Sequence, residues 1–165
     1  MSRAVRRFAG LGRGFTLMEL VVALALLALM AAMAAPLSEV AVQSQKEEQL
    51  RQALRDIRSA IDQYKQAVDQ GLIQRRIGDA GYPPDLETLV KGVPNQQSPS
   101  RVPIVFLRRI PRDPFNPDTT VPAAATWKLR CYESPADAPS PGANVYDVVS
   151  MAKGKGLNGI DYSLW

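Results

Sequence analysis

The sequence predicts an α+β protein in which one long N-terminal helix packs on a small head that contains an antiparallel β-sheet. Three observations support this fold class. An uncharged apolar run extends from Leu20 to Leu37, and apolar residues recur at helical spacing in the segment that follows. The remaining residues, 72–165, are interrupted by prolines and contain short alternating stretches typical of strands. A run of helix followed by strands indicates an α+β arrangement.

Composition and charge narrow the classes of function. The chain has 165 residues with 20 Lys and Arg, 16 Asp and Glu, and no His. The absence of His excludes His-ligated zinc sites and His-based acid–base catalysis. The excess positive charge comes from four arginines in the first 14 residues, so no nucleic-acid partner is expected: Arg3, Arg6, Arg7 and Arg13. The single cysteine, Cys131, cannot form an intrachain disulfide, and we interpret it as a small, partly buried apolar residue. An intermolecular disulfide or a reactive thiol is the alternative.

The apolar run is long enough to cross a membrane. It holds 18 residues without a charge, which as a helix span roughly 27 Å, close to the thickness of a bilayer's hydrocarbon core. We therefore predict a transmembrane helix over residues 15–38. Because the arginines precede it, the N-terminus should stay in the cytoplasm while the rest of the chain is exported.

A cleaved secretory signal is the alternative interpretation of the same region. Ala31 to Ala35 supplies small residues of the kind that signal peptidase requires. Two features count against it. Pro36 would follow the cleavage point directly, and Glu19 interrupts the start of an apolar region that is already longer than a signal needs.

Glu19 has two interpretations from the residues alone. A carboxylate well inside a membrane costs about 2.5–3.5 kcal/mol on insertion scales, and such residues usually face a partner. In the first turn of a helix, however, the helix dipole favours an anion by about 0.3–1 kcal/mol. The residues themselves leave both interpretations open.

The stretch from Arg13 to Leu20 (RGFTLMEL) resembles the class III leader junction of type IV pilins and type II secretion pseudopilins. The resemblance implies that residues 1–14 are a leader, that a prepilin peptidase cuts between Gly14 and Phe15, and that the new N-terminus is methylated. It implies that Glu19 pairs with the amine of a neighbouring subunit's Phe15 in a filament. Pro36 should kink the helix, and in this family such a proline marks where the helix loosens during assembly.

Residues 39–71 are predicted to continue the helix as an amphipathic stalk. Gly71 is the expected stop, because glycine accepts the left-handed conformation that ends helices. A coiled-coil seam is the alternative, but the pattern lasts only about three heptads, and we favour packing on the chain's own sheet. The apolar stripe consists of Leu50, Leu54, Ile57, Ile61, Tyr64 and Val68.

The predicted head, residues 72–165, begins with a short helix. Asp85 favours its first turn and Gly92 its end, and residues 93–103 are expected to form a loop. Two strands are predicted within Thr126–Glu133 and Asn144–Met151, and a third short strand or extended tail within Ile160–Trp165.

Two segments of the head extend the resemblance. The stretch from Arg108 to Pro117 (RRIPRDPFNP) is a rigid, turn-rich connector by composition, and it is similar to a signature of the major pseudopilin of type II secretion. The end of the chain resembles that family's calcium-binding loop. Only Asp161 matches a ligand position, whereas Lys153 and Lys155 would repel a divalent cation. No other cofactor is expected.

These features together predict a structural subunit rather than an enzyme. The resemblance implies a homopolymer, with minor pseudopilins, a prepilin peptidase, an inner-membrane assembly platform, its ATPase and membrane lipid as partners. The chain would cross the bacterial inner membrane once with a periplasmic head, and then enter a periplasmic filament that drives protein export. A type IV pilin or minor pilin for adhesion, motility or DNA uptake is the alternative. An exported enzyme or binding module is less favoured, because no nucleophile motif is present.

Overall fold

The computed structural model describes residues 14–75, 78–135 and 137–165, and the side chains of residues 32–38 lie outside that description. Two compact units result, Met1–Ala41 and Val42–Trp165. The described part of the first unit is the beginning of helix α1, and the second unit contains the remainder of α1 and the head. The α+β class is confirmed.

Helix α1 extends over Leu17–Asp69, 53 residues, close to the predicted helical range. It ends where Gly71 adopts a φ of 72°. The amide of Gly71 donates to the Val68 carbonyl at 3.0 Å, and the amide of Leu72 donates to the Ala67 carbonyl at 2.9 Å. This pair of bonds is a Schellman motif, which satisfies the last carbonyls of the helix. The predicted stop at Gly71 is confirmed.

The apolar stripe of α1 forms one side of the core of the second unit. All six predicted stripe residues are buried, with Leu50 and Ile57 fully inaccessible to solvent. They pack in one cluster with residues of the head, namely Leu86, Leu89, Trp127, Val145, Val148 and Tyr162. The stripe therefore packs on the chain's own head, as predicted, and the burial of this apolar surface is the main stabilising contribution available to the unit.

A short second helix, α2, covers Leu86–Lys91. The Asp85 carboxylate accepts hydrogen bonds from the Thr88 amide at 2.7 Å and from the Thr88 hydroxyl at 2.8 Å. Gly92 ends the helix with a φ of 78°. Both predicted boundaries are confirmed, and the cap holds Leu86 and Leu89 in the core.

Replacing Asp85 by Ala should lower the free energy of unfolding by about 0.5–2 kcal/mol, because the amide of Thr88 loses its capping acceptor. Asp85→Asn is the matched control, since the amide oxygen can still accept that bond. Thermal unfolding of the two variants checks the expectation. Equal losses for both variants would show that charge, and not capping, stabilises this end of the helix.

The strands in the described part of the chain form two small antiparallel pairs. Strands β1 (Val93–Pro94) and β2 (Pro103–Ile104) pair with each other, so the predicted loop over residues 93–103 is closed at its ends by a two-residue ladder. Strands β3 (Trp127–Arg130) and β4 (Asp147–Ser150) form the second pair. Both lie within the predicted strands and are shorter than predicted. Strand β3 begins only at Trp127 because residues Ala123–Thr126 form a 3₁₀ helix.

The prediction of a third strand or extended tail near the end of the chain is wrong. Residues Tyr162–Leu164 form a 3₁₀ helix instead, and the only bridge described in this region pairs Lys155 with Asp161. The physical reason is that Tyr162 turns inward: its ring is buried and lies 4.4 Å from the ring of Phe115 and 5.2 Å from that of Trp165. An extended chain would not bring Tyr162 and Trp165 together.

Candidate assembly site at the start of the N-terminal helix

Thr16 caps the beginning of α1. Its hydroxyl accepts a hydrogen bond from the Glu19 amide at 3.2 Å, and its carbonyl accepts from the Leu20 amide at 3.1 Å. This places Glu19 at the third helical position, where Thr-x-x-Glu forms the sequence pattern of a capping box. Thr16 and Glu19 thus carry a sequence signal for the start of the helix that the sequence analysis missed.

The first turns of α1 expose an extensive apolar surface. Phe15 is 82% exposed and Leu17 is 81% exposed. Isolated apolar residues on a surface are ordinary, but a continuous apolar surface of this length indicates contact with lipid or with another protein. The exposed apolar residues are Phe15, Leu17, Met18, Leu20, Val21, Val22, Leu24, Leu26, Leu27, Leu29 and Met30.

Glu19 is the one acidic residue in the first turn of α1. It is exposed and lies among the apolar side chains of that surface. Among the residues that the structure describes, no cation forms an ion pair with its carboxylate. The dipole at the start of α1 favours a negative charge that stays near the helix end. A carboxylate that is buried in lipid or in a protein interior needs a cationic partner to offset its desolvation. Glu19 is thus an exposed carboxylate within an apolar surface.

A known family matches the segment that contains the start of α1. Residues 12–35 match the family described as the prokaryotic N-terminal methylation motif. The match supports a type IV pilin-like leader and includes Gly14, Phe15 and Glu19. It does not separate a secretion pseudopilin from a pilin. No curated protein and no solved structure shows significant similarity to the chain.

The predicted membrane crossing is not confirmed. Within the residues described, no helix is both long enough and apolar enough to span a membrane. Of the other predicted features, the leader up to Arg13 and the side chain of Pro36 lie outside the described residues.

The proline-rich connector, residues 108–117, forms hydrogen bonds with buried groups of the head. The Asp113 carboxylate is buried and accepts hydrogen bonds from the Ser150 hydroxyl at 2.5 Å and the Phe115 amide at 2.8 Å. The Trp127 indole donates to the Pro111 carbonyl at 2.8 Å. Arg112 lies alongside, donating to the carbonyls of residues 118 and 121. The connector thus fixes the position of β3 and β4, a role that its composition alone did not reveal.

Asp161, the predicted metal ligand, lies immediately before the last 3₁₀ helix and makes no side-chain capping bond there. Among the described residues, no group of three or more His, Cys, Asp or Glu side chains is arranged to hold a metal ion. The calcium prediction at Asp161 stays a prediction with weak chemical support, since calcium takes six to eight oxygen ligands with several carboxylates.

A residue that the sequence analysis missed lies beneath this same loop. Glu47, on α1, is only 2% exposed. Its carboxylate accepts a hydrogen bond from the buried Tyr162 hydroxyl at 3.0 Å. Burial raises the pKa of Tyr162; a hydrogen bond from Gln43 opposes that shift, and the bond to Glu47 adds to it. Helical spacing places Glu47 three residues before Leu50, at the start of the buried stripe, and this signal could have distinguished it from the exposed Glu48.

Cys131 is buried and forms no disulfide. Its neighbour across the turn is Gly142, where a Cβ would come within 2.8 Å of the Cys131 sulfur. The predicted burial of Cys131 is confirmed.

Proposed function

We propose that this chain is a structural subunit of a type II secretion pseudopilus. A prepilin peptidase removes residues 1–14 and methylates Phe15, and the subunit then polymerises through α1 with copies of itself and with minor pseudopilins. An inner-membrane platform and its ATPase drive assembly, and the growing filament exports proteins across the outer membrane. The role is architectural rather than enzymatic.

The observation that carries the proposal is the combination at the start of α1. The methylation motif covers residues 12–35, and directly after its Gly14–Phe15 junction lies an exposed apolar surface with a single carboxylate, Glu19. Cleavage at this junction creates a positively charged amine on Phe15. Glu19 of one subunit then has a cationic partner on the next, which offsets its desolvation when helices pack together.

Membrane anchoring through residues 15–38 belongs to the same proposal. The uncharged run from Leu20 to Leu37 has the composition of a single membrane span. The subunit would wait in the inner membrane with its head in the periplasm. Filament assembly would then replace contacts between lipid and the apolar surface with contacts between subunits.

The secretion role rests on the head. The Arg108–Pro117 connector resembles the pseudopilin signature, and in the structure its Asp113 and Pro111 fix the second strand pair. The chain has a single cysteine, so it lacks the C-terminal disulfide loop that many pilins carry. A type IV pilin or minor pilin is the other outcome. Deleting the gene in its host should retain folded exoproteins in the periplasm; loss of surface pili with normal secretion would favour the pilin.

Mass spectrometry of the processed chain tests the proposal directly. Coexpression with a prepilin peptidase should yield a product that begins at Phe15 and carries one added methyl group. Omitting the peptidase is the control and should leave the leader attached. A product that begins near Ala35 would instead show an ordinary secretory signal and would overturn the proposal.

A further inference from the structure

We propose that the Glu47 carboxylate of α1 is the group that holds the C-terminal loop, residues 151–165, in its folded position, and that this loop therefore folds without a divalent cation. The proposal concerns the head alone and stands whether or not the subunit serves a secretion pseudopilus.

Glu47 contacts the loop at two separated points. One of its oxygens, Oε1, accepts a hydrogen bond from the Leu157 amide at 2.8 Å and from the Tyr162 hydroxyl at 3.0 Å. Gln43 donates to the same oxygen at 3.1 Å, and Arg51 lies 3.4 Å from the other oxygen. The buried carboxylate is thus fully hydrogen-bonded, as a charge in that environment requires.

Two arginines of α1 fasten the end of the loop. Arg58 donates to the carbonyl of Trp165 at 2.7 Å and to that of Val148 at 3.2 Å. The guanidinium of Arg51 lies 4.4 Å from the centre of the Trp165 ring, a cation–π contact. Gly156 allows the loop to close over these groups, because a Cβ there would lie 2.4 Å from the Trp165 ring.

The chemistry of the loop suits an anion better than a cation. Asp161 is its only carboxylate, and Lys153 and Lys155 add two positive charges. Its backbone carbonyls already accept hydrogen bonds from within the loop: residue 154 from the Tyr162 amide, residue 156 from the Gly159 amide and residue 160 from the Gly156 amide. A calcium ion that used these carbonyls would compete with the hydrogen bonds for the same oxygen atoms.

The Glu47 carboxylate binds hydrogen-bond donors of the loop and not its carbonyls. It receives an amide hydrogen and a phenol hydrogen from the loop, where a cation would require oxygen atoms. Hydrogen bonds to a charged acceptor are stronger than those between neutral groups. A single side chain of α1 therefore orders the loop by binding its donors, in place of a metal that would bind its acceptors.

The experiment uses the full chain in detergent and has two arms. In the first, thermal unfolding of the wild type is measured with millimolar calcium and with excess EDTA. We expect the same Tm in both conditions, within about 1 °C. A Tm that rises with calcium and falls with EDTA, together with slower hydrogen exchange of residues 151–165 in calcium, would overturn the proposal.

The second arm uses Glu47→Ala, with Glu47→Gln as the conservative variant and Asp62→Ala as the control on the exposed face of α1. Glu47→Ala should lower the Tm by about 5–10 °C and speed amide exchange selectively in residues 151–165. Glu47→Gln keeps an acceptor oxygen but no charge, so the protection of residues 151–165 should fall between that of Glu47→Ala and that of the wild type. Asp62→Ala should leave the protection unchanged. If Glu47→Ala fails to fold, faster exchange of residues 151–165 in Glu47→Gln than in the wild type, together with the calcium arm, still decides. Unaltered exchange in both Glu47 variants would exclude the proposed role.

Discussion

Replacing Glu19 by Val should abolish filament assembly while leaving leader cleavage and membrane insertion intact. Glu19 lies at the third position of α1 within an exposed apolar surface, and no described cation pairs with it. If its function is to receive the amine of a neighbouring subunit's Phe15, removing the carboxylate deletes the only charge-specific contact of that surface.

Insertion itself should not suffer from this substitution. A carboxylate within a membrane helix is unfavourable by about 2.5–3.5 kcal/mol, so Val should insert at least as well as Glu. Any loss of filaments then reports on assembly and not on targeting. This separation makes Glu19→Val more informative than a deletion within the apolar run.

Electron microscopy of sheared filaments and mass spectrometry of the processed chain measure the two effects separately. Glu39→Gln is the matched control, since Glu39 is an exposed carboxylate further along α1 and should tolerate neutralisation. Filaments of normal number and length from Glu19→Val would refute the docking role. The dipole interpretation alone predicts only a change of about 0.3–1 kcal/mol in helix stability.

The features that the sequence predicted well are those encoded within a few neighbouring residues. The stripe containing Leu50 and Ile57 follows from helical spacing, the stop at Gly71 from its conformational freedom, and the start of α2 from the capping residue Asp85. Each depends on local backbone geometry, which the chain specifies without reference to distant segments.

The features that the sequence did not predict depend on contacts between distant segments. Glu47 and Leu157 are 110 positions apart, and Asp113 and Ser150 are 37 apart. Helical spacing marks Glu47, unlike Glu48, as a position on the buried stripe. Nothing local, however, identifies the Leu157 amide and the Tyr162 hydroxyl that donate to its carboxylate. The prediction of a strand or extended tail within Ile160–Trp165 is wrong for a related reason. The alternating residues favoured a strand, but the burial of Tyr162 determines the conformation of this segment.

The second prediction concerns the core. Ile57→Ala should lower the free energy of unfolding of the head by about 2–5 kcal/mol, because Ile57 is fully buried and the vacated space cannot close completely. Ile57→Val removes only one methyl group and should cost about 0.5–1.5 kcal/mol. An exposed neighbour, Asp62→Ala, should stay within about 0.5 kcal/mol of the wild type.

Denaturant unfolding of the detergent-solubilised chain, followed by tryptophan fluorescence, measures these differences, since Trp127 belongs to the same core. The same measurement distinguishes packing of the apolar stripe on the chain's own head from packing in a coiled coil between two copies. Because Ile57 packs against the chain's own head, the loss should be independent of protein concentration. A coiled-coil seam between two copies would instead make unfolding of the wild type concentration-dependent and Ile57→Ala monomeric. A loss below about 1 kcal/mol for Ile57→Ala would contradict its place in a closely packed core.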